Sequence, residues 1–243
     1  MISGDKNYNG VIDELVNGSW ISQTDNKQYG IPIKNIEIRK TLDGRECDLI
    51  ESLHSNQKLL VVSDPFTHKA MGSRIFKNLK AKINVDEFIW EQPSSSIEGV
   101  QFLRTKLKDY DGMIAVGSGT VSDSIKYATF LEDKVYSVFA TTPMNAYTTG
   151  TASISFDGIK KSLVAHYAQG VFFDLEVLSN CPKRLTAAAF ADVICRTTAQ
   201  VDWLMSHKLL NTDYKTTPYE LLALYEMDMI NNCLLYTSPS PRD

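Results

Sequence analysis

The residues best suited to chemistry in this sequence lie in AVGSGTVSDSIKYAT at 115–129, where an apolar run ends at the small residues of 117–120. Glycines allow backbone N–H groups to approach an anion, and the N-terminus of a helix that follows adds its positive dipole. A dinucleotide pyrophosphate suits such a place. The spacing is neither G-x-G-x-x-G nor a Walker A loop. A tight strand-to-helix turn, with Ser122 as N-cap, accounts for the segment equally well.

Two other segments place polar side chains after apolar runs. Asp64 ends the run KLLVVSD at 58–64, and ATTPMNAYTTGT at 140–151 combines five threonines with Asn145 and Tyr147. In an open parallel sheet, ligands bind outside the carboxyl ends of the strands, so we expect both segments at one edge with the glycines. Asp64 would accept hydrogen bonds from a ribose there, or serve only as an N-cap. The threonine segment would orient a nicotinamide or a small polyol, or form only a polar turn.

Asp192 is a third candidate, because it lies among small and apolar residues in AAAFADVICRTTAQVDWLM. A carboxylate buried in such surroundings is costly unless it has a partner. A metal ion would be one partner. Arg196, four residues later on the same predicted helix, would be another through an ordinary ion pair.

The elements that position these residues alternate between strand and helix for about 110 residues. A continuous apolar run such as the one at 58–64 is typical of a strand that is buried on both faces. Strands are predicted at 35–39, 58–64, 82–90, 112–119 and 135–142, and helices at 47–56, 67–80, 96–110 and 122–132. Short connections between alternating strands and helices predict a parallel, doubly wound sheet in an α/β fold.

The pattern changes after Thr142. A hairpin is predicted with its turn at 156–158, then a strand at 171–174, a long helix at 182–207 and another at 218–232. Two helices cannot cover their own apolar faces, so we expect a truncated chain with exposed apolar surface on 183–232. The expected organisation is an α/β domain with a lead-in at 1–179, an incomplete helical domain at 180–232, and a non-native or disordered tail at 233–243. A disordered end on a complete protein is the alternative.

Composition limits the classes of function. The 25 Lys plus Arg are scattered among 29 Asp plus Glu, for a net charge of −4, which does not favour a nucleic-acid partner. No apolar run approaches the length of about 18 residues that a membrane span needs, and the start MISGDKNYNG does not resemble a signal peptide. The four cysteines show neither a CxxC pair nor a metal-finger spacing. We therefore expect a cytoplasmic protein with reduced cysteines. The sequence is compatible with a homo-oligomer.

Four segments together resemble one family. VGSGTVSDSIKYAT, TTPMNAYTTGTASI, FFDLEVL and ADVICRTTAQVDW occur in the order seen in the glycerol-1-phosphate dehydrogenases. These belong to the wider superfamily of iron-dependent alcohol dehydrogenases, glycerol dehydrogenase and dehydroquinate synthase. The resemblance covers roughly residues 35–207. It implies a Rossmann-like α/β domain that binds NAD or NADP, followed by the start of a dehydroquinate synthase-like all-α domain. It also implies reduction of dihydroxyacetone phosphate to sn-glycerol 1-phosphate, usually with a zinc ion.

The resemblance also implies roles for particular residues. Those expected to bind the cofactor are Gly117, Ser118, Gly119, Thr120 and Val121 at the pyrophosphate, Asp64 at the adenosine ribose, and Thr141, Thr142 and Thr149 at the nicotinamide side. Asp192 matches the first metal ligand, which also touches substrate. Asn145 stands where many members have a substrate-binding Asp, and an amide cannot act as a base.

The zinc site departs from the family pattern. Two further ligands in the family are histidines well downstream of the Asp, whereas this chain has no histidine after His207. On a continuous helix His207 would lie about 22 Å from Asp192, which is too far for both to bind one ion. This departure leaves three interpretations: a fragment of an active enzyme, a polyol dehydrogenase with another substrate, or an inactive nucleotide-binding relative without a metal.

Overall fold

A computed structural model of the chain describes the backbone of residues 9–236 and the side chains of residues 10–225 and 231. The strands are β1 (Trp20–Ile21), β2 (Gln28–Tyr29), β3 (Asn35–Arg39), β4 (Leu59–Ser63), β5 (Val85–Ile89), β6 (Gly112–Gly117), β7 (Val135–Ala140), β8 (Thr151–Phe156), β9 (Ile159–Val164) and β10 (Gly170–Asp174). The α-helices are α1 (Asn9–Val16), α2 (Glu46–His54), α3 (Pro65–Thr67), α4 (Ser73–Lys80), α5 (Ile97–Leu107), α6 (Gly119–Leu131), α7 (Leu175–Ser179), α8 (Lys183–Leu210) and α9 (Thr217–Tyr236). A π-helical turn (His68–Gly72) joins α3 to α4, and a 3₁₀ turn (Asn145–Thr148) precedes β8.

Six strands form one parallel sheet in the order β3-β10-β7-β6-β4-β5. Every residue of β4 and β6 is buried, because helices cover both faces of the sheet. The apolar core accordingly forms two clusters, one containing Val100, Val121 and Ile125 and the other containing Ile50 and Ile75. The predicted doubly wound α/β fold is confirmed.

Two boundaries differ from the predictions in a way that matters for the site. β6 ends at Gly117 and α6 begins at Gly119, so Ser118 occupies the N-cap position. The proposal of Ser122 as N-cap was wrong, since Ser122 lies fully buried within the helix. A single residue, Ser118, therefore separates the strand from the helix. Gly119 and Thr120 lie in the first turn of the helix.

The hairpin β8–β9 is antiparallel and has the predicted turn. Asp157 and Gly158 both have positive φ, 49° and 81°, as a two-residue turn of the I′ kind requires. β8 packs against α6, so the hairpin extends the layer of helices on one face of the sheet.

The first described residues are more ordered than the predicted loose lead-in. They form α1 and the small antiparallel pair β1–β2, and the segment after β1 is bound to α9. Glu220 accepts hydrogen bonds from Gln23 N–H at 2.6 Å and from the Ser22 hydroxyl at 2.7 Å.

The helices α8 and α9 expose many large apolar side chains, as expected for 183–232: Ile194, Val201, Leu204, Met205, Leu209, Leu210, Tyr219 and Leu224. α9 continues to Tyr236, four residues beyond the predicted end of the helix, and residues 237–243 of the predicted tail lie outside the described residues. No helix in the described part of the chain combines the length and apolar character that crossing a bilayer requires.

Candidate functional site

A cleft of about 630 Å³ lies at the carboxyl edge of the sheet, between the strand ends and the start of α8. It brings together residues that the sequence places far apart, because the carboxyl ends of parallel strands share one edge. The predicted cofactor residues that line it are Asp64, Ser118, Thr120, Thr141 and Thr142. Glu91 and Glu176 also line it, whereas none of the described lining residues is a lysine or an arginine. Any anion bound here would rely on backbone N–H groups and the helix dipole.

The two glycines at the start of α6 have different reasons to be glycine. A Cβ on Gly117 would lie 2.8 Å from Val121 Cβ, so this glycine is required by internal packing. A Cβ on Gly119 would meet nothing within 4 Å. Gly119 therefore leaves open space at the N-terminus of a 13-residue helix, where unpaired N–H groups are available to an anion.

Asp64 is the N-cap of α3, which is the alternative role that the sequence predicts for it. Its Oδ1 accepts hydrogen bonds from Phe66 N–H at 2.8 Å and Thr67 N–H at 2.9 Å, and Thr67 Oγ1 accepts from Asp64 N–H. This capping box holds the carboxylate at the cleft wall. Oδ2 takes no part in these bonds, so capping and contact with a ligand are compatible.

Thr141 carries an unsatisfied polar atom. The residue is only 7% exposed, and its Oγ1 has no hydrogen-bond partner among the described residues although it lines the cleft. A buried hydroxyl without a partner is unfavourable by about 1–3 kcal/mol. A polar ligand in the cleft would satisfy it.

Two buried groups on α6 were not recognised as part of the site from the sequence. Lys126 is fully buried and donates to Ala146 O at 2.6 Å, Thr151 O at 2.9 Å and the Thr149 hydroxyl at 3.2 Å. Its ammonium also lies 3.4 Å from Asp123 Oδ1. The signal that could have identified them was a charged pair at i,i+3 within a helix that is otherwise small and apolar.

Burial governs the protonation of this pair. It lowers the pKa of Lys126, an effect that Asp123 opposes by attracting the positive charge. Burial likewise raises the pKa of Asp123, against the attraction of Lys126 and a hydrogen bond from Ser153 N–H. The pair ties α6 to the turn and to β8.

Several predicted site residues do not line the cleft. Thr149 is engaged by Lys126, and Val121 lies in the apolar core. Asn145 lines a separate cavity of about 800 Å³, which α1, α8 and α9 enclose and which also includes Arg196. The structure therefore brings Asp64, Ser118, Thr120, Thr141 and Thr142 together at the cleft, whereas the predicted residues Gly117, Gly119, Val121, Thr149 and Asn145 are not among those that line it.

Asp192 lies on the part of α8 for which exposed apolar surface is expected. Asp192 is only partly buried, because α8 has little packed against it at this position. No ion pair joins it to Arg196 among the described residues, and the nearest described thiol, Cys195 Sγ, lies 4.0 Å from Asp192 Oδ1. The described side chains contain no group of three His, Cys, Asp or Glu that could hold a metal ion.

The comparison with known families decides the wider assignment. A profile described as iron-containing alcohol dehydrogenase matches residues 37–182, which is more than half of the chain. The chain belongs to this family. The matched range includes every cleft residue predicted from the sequence, whereas Asp192 lies beyond it.

Relatives within the family agree with the resemblance noted in the sequence. The chain is 31% identical over 179 residues to a glycerol-1-phosphate dehydrogenase (NAD(P)+) of Pyrococcus horikoshii, covering 72% of this chain and 51% of that protein. It is 28% identical over 173 residues to the enzyme of the same name from Geobacillus thermodenitrificans, covering 68% and 43%. The chain thus spans about half the length of the curated relatives it matches.

Solved structures show the same fold. A glycerol dehydrogenase from Schizosaccharomyces pombe superposes with a TM-score of 0.60 at 18% identity, covering 67% of this chain and 42% of that one. An iron-containing alcohol dehydrogenase from Thermotoga maritima gives 0.58 at 17% identity, covering 67% and 52%. At these identities the similarity establishes the fold alone.

Proposed function

We propose that the cleft binds the dinucleotide NAD(H) or NADP(H), with the pyrophosphate at 117–121. The observation that carries this proposal is the open space at Gly119, at the N-terminus of α6, together with the unsatisfied hydroxyl of Thr141 in the cleft that Ser118 and Thr120 also line. A pyrophosphate needs N–H donors without a side chain in the way, and a nicotinamide nucleotide supplies the polar groups that a buried threonine lacks. The glycerol-1-phosphate dehydrogenases (NAD(P)+) that this chain resembles support the same assignment.

The wider proposal is that the protein catalyses the interconversion of dihydroxyacetone phosphate and sn-glycerol 1-phosphate. The dinucleotide, when bound, supplies or accepts the hydride. The residues of this chain bind and orient it: the N–H groups that begin α6 hold the pyrophosphate, and Asp64 holds a ribose. Thr141 and Thr142 fix the part of the cofactor that lies at the end of β7. Ala140 and the buried end of β7 exclude water from beneath that part.

The charge of the cleft favours NAD over NADP. Asp64 and Glu91 line it together with Glu176, and no lysine or arginine is among the described lining residues. A ribose 2′-phosphate placed near Asp64 would meet a carboxylate and no cation, whereas a free 2′-hydroxyl can donate to that carboxylate.

A metal ion is the least supported part of the proposal. Asp192 would provide one carboxylate ligand to zinc, together with histidines that this chain does not contain. The described residues do not form a site with it, so they do not fit a metal by themselves, and we assign no step to one. Asn145 is proposed to bind a substrate hydroxyl through its amide, with the proton supplied by another group.

The experiment that tests cofactor binding is a titration of the 243-residue chain with NADH, followed by the fluorescence of the reduced nicotinamide. We expect saturable binding that ADP-ribose displaces, because ADP-ribose retains the pyrophosphate and both riboses. NADPH should bind more weakly. Absence of saturable binding by either reduced dinucleotide would contradict the proposal.

A separate assay tests the substrate. Oxidation of NADH in the presence of dihydroxyacetone phosphate is compared with reduction of NAD⁺ in the presence of glycerol, in each case with zinc added. We expect any turnover to need the phosphorylated ketone. Turnover of glycerol alone would instead assign the protein to the polyol dehydrogenases of the superfamily.

A further inference from the structure

Tyr147 lies behind the cleft and joins its two halves. The side chain is fully buried, and its hydroxyl contacts Gly117 O at 3.0 Å and the Thr142 hydroxyl at 2.7 Å. Gly117 ends β6, at the proposed pyrophosphate site, and Thr142 lines the cleft beyond β7. Tyr147 does not line the cleft itself, so the proposed function leaves it without a role.

The chemistry of these two contacts fixes where the protons are. A carbonyl oxygen can only accept, so the single proton of Tyr147 is donated to Gly117 O. The hydrogen bond between the Tyr147 and Thr142 hydroxyls must then use the proton of Thr142, so Thr142 donates and Tyr147 accepts. Thr142 has no further proton to give, and only the lone pairs of its Oγ1 remain.

The turn that carries Tyr147 is held firmly enough for this arrangement to persist. Lys126 binds the carbonyl groups of Ala146, immediately before Tyr147, and of Thr151, at the start of β8. Burial also raises the pKa of Tyr147 well above its ordinary value, so the phenol keeps its proton at neutral pH.

We propose that Tyr147 is a positioning residue that makes Thr142 an obligate hydrogen-bond acceptor toward a donor group of the bound dinucleotide. This inference rests on the proposed dinucleotide site. Phosphate oxygens at neutral pH accept and do not donate, so Thr142 faces a different part of the cofactor from the pyrophosphate. The remaining donors of the dinucleotide are the ribose hydroxyls, the carboxamide NH₂ and the amino group of adenine. Thr141, whose hydroxyl has no partner, stays free to donate or accept.

The test measures dissociation constants by calorimetry for three probes with Thr142→Val, Thr142→Ser, Tyr147→Phe and the double variant Thr142→Val with Tyr147→Phe. The probes are NAD⁺, 3-acetylpyridine adenine dinucleotide, in which a methyl group replaces the NH₂ of the carboxamide, and ADP-ribose, which has no nicotinamide. Thermal unfolding of each variant shows whether the fold is retained. Thr142→Ser retains the hydroxyl and serves as the matched control.

We expect Thr142→Val to weaken NAD⁺ binding about fivefold to tenfold, the effect of one neutral hydrogen bond, and Thr142→Ser to restore it. Tyr147→Phe should weaken the same probes about threefold, since the released hydroxyl keeps its lone pairs. The double variant should match Thr142→Val, because both changes act on one hydrogen bond. A loss confined to NAD⁺ identifies the carboxamide as the donor, and a loss shared by all three probes identifies a group that all three retain, either a ribose hydroxyl or the amino group of adenine.

Two results would overturn the inference while leaving the dinucleotide site in place. One is unchanged affinity of Thr142→Val for all three probes. The other is an additive effect in the double variant, which would show that Tyr147 acts independently of Thr142. Failure of the unmodified chain to bind any probe would instead refute the proposed function, and the inference with it.

Discussion

Asp64 illustrates how one residue can serve both local structure and a ligand. Its Oδ1 is occupied by the capping bonds to Phe66 and Thr67, and the same carboxylate lies on the wall of the cleft. The cap fixes the side chain before any ligand arrives, so little conformational entropy is lost on binding.

The first prediction concerns the choice of cofactor. Asp64→Asn keeps an oxygen for the cap but removes the negative charge, so the preference for NADH over NADPH should fall about fivefold or more. Dissociation constants for both dinucleotides measure the ratio. Glu176→Gln, a change at another acidic residue of the cleft beside α7, is the matched control and should alter the ratio less. A ratio equal to that of the unmodified chain would mean that Asp64 is only a cap.

At the residue scale, sequence patterns predicted side chains whose role follows from local chain order. Asp64, Ser118 and Thr141 were predicted because each follows an apolar strand, and parallel strands end together. Lys126 was not recognised, and Tyr147 was noted only as a member of the threonine segment, because the contacts of both residues cross about 20 to 30 residues of chain. The partial burial of Asp192 was not predictable from its apolar sequence neighbours, because burial depends on what packs against a helix.

At the scale of elements, α6 does more than begin the anion site. Its N-terminus faces the cleft, while its buried face carries the pair Asp123 and Lys126, which holds the 3₁₀ turn and β8. A buried ion pair avoids a net loss of stability only if its remaining donors are also hydrogen-bonded. The ammonium of Lys126 meets this condition by donating to backbone carbonyls. These contacts therefore hold α6, the 3₁₀ turn and the hairpin β8–β9 together as one structural unit.

The second prediction tests this unit. Lys126→Met keeps the length of the side chain but leaves Asp123 without its cation. It also leaves the Ala146 and Thr151 carbonyls to share one donor, the Thr149 hydroxyl, which lies 3.1 Å from each. The free energy of unfolding should fall by about 3 kcal/mol or more, as for other buried pairs that lose one partner. Lys69→Met, at an exposed lysine, should change it by less than about 0.5 kcal/mol. Urea denaturation of both variants provides the comparison, and equal small effects would show that the buried pair contributes little.

At the scale of the whole molecule, alternating strands and helices were enough to predict the parallel sheet, because continuous apolar runs at 58–64 and 112–117 are diagnostic of strands buried on both faces. The order of strands in the sheet was not predictable from periodicity. Nor was the contact of the first described residues with α9, which depends on Glu220 and a segment nearly 200 residues earlier in the chain.

The third prediction concerns stability against pH. Burial lowers the pKa of His54 and of His166, and at His54 the hydrogen bond to Gln57 partly opposes this effect. The unfolded chain protonates both near pH 6.5, so their contribution is present above that pH and is lost as the pH falls through the lower values of the folded state. The urea midpoint should therefore be lower at pH 5.5 than at pH 7.5. His54→Gln should flatten this dependence, and an unchanged slope in that variant would exclude His54 as its source.

The measurement that tests the central claim most directly compares Gly119→Val with the unmodified chain in a calorimetric titration with NADH. The structure has open space at Gly119, so the variant should keep its thermal unfolding temperature within about 2 °C while the valine obstructs the pyrophosphate. NADH affinity should then fall at least about tenfold. Gly117→Ala is the contrasting control, because its Cβ would collide with Val121 and destabilise the fold instead. Unchanged NADH affinity in a folded Gly119→Val protein would contradict the account.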